Sequence, residues 1–94
     1  MFYIIKTIHI RDDQRWCASS DGIFLDMQMA LERVEKNSCD LCEGGYNQYA
    51  AVVCFEEGMY PFGEEIQWFV WDKDGEEYIK TTRPDFMDGW ALSI

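Results

Sequence analysis

From Phe2 to Ile10 the side chains fall into two rows, Phe2, Ile4, Lys6, Ile8 and Ile10 in one and Tyr3, Ile5, Thr7 and His9 in the other. Period-two alternation with this many β-branched residues predicts a strand. Arg11-Asp12-Asp13-Gln14 is a polar turn, and Arg15 to Ser19 reads as a short return strand that completes a hairpin. Ser20-Asp21-Gly22 is expected to break it. The period then changes. Met27, Ala30, Leu31 and Val34 fall at i, i+3, i+4 and i+7 behind Asp26, a good N-cap, so a helix is expected from there to about Lys36. Glu32, Arg33, Glu35 and Lys36 fill its solvated side, Asn37-Ser38 ends it, and the segment up to Asn47 is Gly-rich and irregular.

Tyr49 to Phe55 is nearly continuous apolar sequence, the pattern of a central strand buried on both faces. Glu56-Glu57-Gly58 closes it, residues 58–65 form a loop carrying Tyr60 and Phe62, and Ile66 to Trp71 is a further apolar strand. Asp72-Lys73-Asp74-Gly75 predicts a hairpin turn in which Gly75 supplies the positive φ, with a last strand from Glu76 to Thr82 before Pro84 stops the pairing. The order β-β-α-β-β-β defines an α+β fold, a mainly antiparallel sheet of about five strands with one helix packed on one face. Ile66, Trp68 and Val70 should oppose Gln67, Phe69 and Trp71, leaving apolar side chains on both faces. Since the helix covers one face, the other needs the tail Asp85 to Ile94, a second copy, or a protein partner.

At 94 residues the chain makes a single compact domain, residues 1–94, and its 48% hydrophobic and 16% aromatic content is ample for a core. The net charge of −10 argues against direct binding to nucleic acid or an anionic membrane and favours basic protein partners. Its distribution is uneven. Residues 1–36 carry six acids and five bases, whereas residues 37–94 carry twelve acids and three bases. Glu56, Glu57, Glu64, Glu65, Asp72, Asp74, Glu76 and Glu77 lie at strand ends and turns, from which they could line one sheet edge and imitate a row of phosphates. Tyr60, Trp68 and Trp71 lie close by, as aromatic anchors among charges do at interfaces. The same acids also serve solubility and block edge-to-edge aggregation.

The expected function is therefore that of a non-enzymatic, acidic, protein-binding inhibitor of a basic nucleic-acid-binding partner, acting through an acidic, aromatic-flanked sheet edge. In composition the chain resembles the small acidic proteins that phages encode against host defence, anti-CRISPR proteins and DNA mimics among them. The resemblance implies action in the host cytoplasm. The N-terminus has no signal-peptide pattern and no apolar run approaches a membrane span, so a cytoplasmic setting with reduced cysteines is expected and no membrane contact.

The alternatives rest on other residues. Cys39-Asp40-Leu41-Cys42 has the spacing of a zinc knuckle, but a tetrahedral site would need Cys17 and Cys54 to converge on it from separate strands. A homodimer with meeting aromatic sheet faces is the third reading. No cofactor is expected. Asp72-Lys73-Asp74-Gly75 lacks the distal bidentate Glu of a calcium loop. His9, the single histidine, is expected to be structural, and the paired carboxylates, adjacent in sequence, point to opposite faces rather than at one substrate.

Overall fold

The computed structural model describes residues 1–58 and 63–93. Five strands, β1 (Phe2–Ile10), β2 (Trp16–Phe24), β3 (Tyr49–Phe55), β4 (Glu64–Asp72) and β5 (Glu77–Thr81), form one antiparallel sheet in the order β2-β1-β3-β4-β5. One helix, α1 (Met27–Glu35), and a 3-10 turn, Asp85–Met87, are the other elements among the described residues. The fold is thus the α+β arrangement expected. β3 is the middle strand, and Ala50 through Phe55 are all buried because its two faces both meet side chains.

β2 runs through the Ser20-Asp21-Gly22 segment instead of breaking there. Ile4 pairs with Ile23 while Lys6 pairs with Ser20, so Asp21 and Gly22 together oppose Ile5 in a β-bulge. Gly22 has φ 153, where any Cβ would sit 3.1 Å from the Phe24 ring. The polar side chains are also absorbed: Lys6 Nζ donates to Ser20 Oγ at 2.8 Å, and the Thr7 hydroxyl donates to the Asp21 carboxylate. A second correction concerns β4, which begins at Glu64 rather than Ile66. Val52 pairs with Gln67 and Val53 with Glu65, so Ile66 is the extra residue of a bulge. It therefore packs on the helix side with Phe69 and Trp71, not with Trp68.

α1 is capped as expected, with the Gln28 amide donating to Asp26 Oδ1 at 2.8 Å. Ala30 and Val34 are fully buried and Leu31 partly so, but Met27 is exposed, since only the later turns reach the sheet. The helix ends on Asn37 at φ 47, with Asn37 N donating to Val34 O and Ser38 N to Arg33 O, a Schellman motif with Asn in the glycine place. On this side Ile5, Ala50, Val52, Phe69 and Tyr78 pack with the helix and with Leu41 and Cys42. On the far side Ile4, Ile8, Val53, Phe55 and Trp68 are closed over by Met87 and Leu92. The tail is therefore the cover of the second face. No helix among the described residues is long and apolar enough to cross a membrane.

Candidate functional site: two acidic ends of the sheet

Each end of β4 carries acids, and the whole nine-residue strand lies between them. At a rise of about 3.3 Å per residue the separation is about 26 Å. Glu56, Glu57 and Glu64 sit at one end, exposed around an open cavity whose apolar wall includes Met1, Tyr3 and Ile66. Asp72, Asp74, Glu76 and Glu77 sit at the other. The single acidic edge expected from the sequence is thus two separate ends, because the two acidic groups lie on successive hairpins that turn in opposite directions.

Glu65 belongs to neither. Its Oε1 accepts from Trp68 Nε1 at 2.7 Å and from Arg83 Nε at 2.9 Å, and Arg83 also donates to the Trp90 carbonyl. It ties β4 to the tail. Trp68, expected as an anchor, is 4% exposed and belongs to the core. Trp71 is half-buried, edge-on to Tyr78 at 5.1 Å. Tyr60 lies outside the described residues. Among the described residues the most exposed aromatics are Trp90, 62% exposed, and Tyr46, 52% exposed.

At the β4–β5 end the turn works differently from expectation. Asp72 Oδ1 accepts from the Asp74 amide at 3.2 Å, and the left-handed residue is Glu76 at φ 53, not Gly75. A Cβ at Gly75 would lie 2.6 Å from Asp72 Oδ2, so a larger residue there would push the Asp72 carboxylate aside.

The 37–47 loop is drawn up to the same end. Asn37 holds it, its Oδ1 accepting from Cys42 N at 2.8 Å and its Nδ2 donating to Cys42 Sγ at 3.3 Å. The far end of the loop is fastened by Tyr78 Oη donating to Asn47 O at 2.7 Å and Trp71 N donating to Gln48 O at 2.8 Å. Asp40 and Glu76 consequently line one open cavity with Trp71 and Lys73. Asp40 and Glu43 are exposed, so this end presents five exposed carboxylates, Asp40, Glu43, Asp74, Glu76 and Glu77, with Asp72 half-buried behind them. Asp40 and Glu43 are not among the residues expected at this site. Their signal was the irregular Gly-rich loop they occupy, whose docking on a distant hairpin no spacing reveals.

Burial pushes the Tyr78 phenol well above its usual range, and Cys42, Asp21, Asp40 and Glu43 add to the rise. A folded-state pKa above the unfolded value means that Tyr78 contributes fully at neutral pH and that stability is lost as pH climbs past about 10. Lys6 acts in the opposite sense, since burial lowers its pKa and the cost of its charge is relieved as pH rises toward the lysine range. The comparison that isolates Tyr78 is the urea midpoint of wild type and Tyr78→Phe from about pH 9 to about pH 11. The variant should start lower, by about 1 kcal/mol for the lost hydrogen bond, and fall less steeply.

Cys39 is exposed and Cys42 buried, with the Cys42 thiol donating to Asp40 Oδ1 at 3.3 Å. Among the described residues no three His, Cys, Asp or Glu side chains are grouped to hold a metal, so Cys17 and Cys54 do not join the pair. Cys17 instead lies opposite His9 in the β1–β2 register. His9 stacks on Tyr46 with centroids 3.7 Å apart and donates from Nδ1 to the Tyr46 carbonyl at 2.7 Å.

No family model matches the chain, and neither the curated proteins nor the solved structures yield a match.

Proposed function

We propose that this protein is a non-enzymatic inhibitor that binds a basic, nucleic-acid-binding protein and blocks its groove with carboxylates, in the manner of phage anti-defence proteins and DNA mimics acting in the host cytoplasm. The observation that carries the reading is the clustering of Asp40, Glu43, Asp74, Glu76 and Glu77 at one end of the sheet, with Lys73 the one cation in the turn between β4 and β5. Clustered like charges on a rigid platform produce a field strong enough to steer a cationic groove, and it decays over about 8 Å at physiological salt. The hydrogen bonds from Tyr78 and Trp71 supply the rigidity. The cluster at Glu56, Glu57 and Glu64 is the secondary contact.

The test is Glu43→Lys, Asp74→Lys, Glu76→Lys and Glu77→Lys together. All four positions are exposed, and surface changes of this kind alter stability by about 0.5 kcal/mol or less each. The wild type, immobilised and exposed to nuclease-treated host lysate, should retain a basic nucleic-acid-binding protein that added duplex DNA displaces. Affinity of the purified pair should fall at least about 100-fold in the variant and should weaken with salt. Equal retention by wild type and variant, or a partner indifferent to duplex DNA, would sink the reading.

A further inference from the structure

We infer that the outer edge of β2 is a self-association surface, through which a second copy of this chain adds its own β2 in antiparallel sense. β2 is one of the two edge strands. Edge strands are normally guarded by charge, proline, brevity, a bulge or an inward-pointing charge, and β2 has the last two only, both at its far end, in Asp21 and Gly22. β5, at the other edge, is five residues long and carries Glu77 and Lys80. β2 has nine residues with no Lys, Arg, Glu or Pro, and its one charged side chain, Asp21, accepts from Thr7 of β1. The bulge at Asp21 and Gly22 leaves Trp16 to Ser20 in unbroken register with Ile10 to Lys6, so an open row of backbone donors and acceptors remains.

The two ends of this edge complement each other. Beyond the bulge Ile23 is 69% exposed and Leu25 85%, with Met29, 59% exposed, following on α1. At the opposite end Trp90, 62% exposed, stands edge-on to Trp16 at 5.8 Å. Ile23 pairs with Ile4 and Trp16 with Ile10, which puts both on the tail-covered face of the sheet. A two-fold axis perpendicular to the sheet keeps that face on the same side in both copies and reverses the strand. Trp16 and Trp90 of one copy then cover Ile23 and Leu25 of the other, twice over. Parallel addition would instead leave like beside like. The exposed Arg15 at the start of β2, 3.6 Å from Asp13 of its own chain, is brought toward Asp26 beyond the end of the partner's β2. Residues 1–36, which contribute this edge, are also the part of the chain where acids and bases nearly balance. A copy carrying −10 can approach another there without strong repulsion. The acidic β4–β5 end stays free at the other side of the sheet, so this contact stands or falls independently of the proposed inhibitor role.

Sedimentation equilibrium of the purified protein over a dilution series should give a reversible dimer of the 11.1 kDa chain. Ile23→Glu with Leu25→Glu should weaken the dimer at least about tenfold, and Trp90→Ala in the same direction. Asp26→Asn, which keeps a helix cap and removes only the charge, should weaken it by a smaller factor. Unfolding by urea, followed by circular dichroism, checks that the variants remain folded. The inference is overturned by a monomer throughout the series, by mass that grows beyond two copies, or by a dimer whose dissociation constant the Ile23 and Leu25 changes leave alone.

Discussion

Replacing Trp68 with alanine is expected to lower the free energy of unfolding by about 3–5 kcal/mol, a large share of the 5–15 kcal/mol typical of a domain. The indole is 4% exposed, packed on the sheet face that Met87 and Leu92 close, and its Nε1 is fastened to Glu65. Truncation therefore opens a cavity and leaves Glu65 with Arg83 alone. Urea unfolding followed by circular dichroism measures the loss. Trp68→Phe separates the two contributions: most of the packing is kept, and the cost should shrink to about 1–3 kcal/mol for the broken polar contact. A Trp68→Ala protein of wild-type stability would place the indole on the surface, as an anchor.

The double change Met87→Ala and Leu92→Ala is expected to cost about 5 kcal/mol, less than the sum of two separate core truncations because the residues share one cluster. Met87 is fully buried and Leu92 is 3% exposed, both packed with Ile4, Ile8, Val53 and Phe55, and Met87 N donates to Pro84 O in the turn that brings it there. Urea midpoints should fall sharply, and a hydrophobic dye should bind where Ile4, Val53 and Phe55 become accessible. Asp88→Ala, on the exposed side of the same segment, is the matched control and should change stability by about 0.5 kcal/mol or less.

Much of this architecture is written in local pattern. The unbroken apolar run of β3 announced a strand covered on both faces, and Asp26 with Ala30, Leu31 and Val34 announced the helix, because burial and capping act over a few residues. Two kinds of information were not legible. Bulges come from pairing, so neither the passage of β2 through Ser20-Asp21-Gly22 nor the switch of Ile66 to the helix side has a signature in the single strand. Long-range contacts decided the site. Glu65 read as one more surface acid until Trp68 and Arg83 converged on it, and Asp40 and Glu43 joined the hairpin acids only through Asn47, Gln48, Trp71 and Tyr78. A tryptophan beside charged residues is ambiguous in sequence, since burial with a hydrogen-bonded indole satisfies the same composition as an exposed anchor.

The strand order has a kinetic consequence. β1 with β2, β3 with β4, and β4 with β5 are each neighbours in sequence, so two stretches of chain, residues 2–24 and 49–81, can close on themselves through short loops. One seam joins them, β1 against β3, in which Phe2 pairs with Phe55 and Ile8 with Tyr49. Loop-closure entropy for that seam must be met before any of its contacts form, which makes its docking the slow event of folding. Ile4, Ile5, Val52 and Val53 lie at the middle of the seam, and conservative truncations there should slow refolding, whereas truncations in β5 should chiefly speed unfolding.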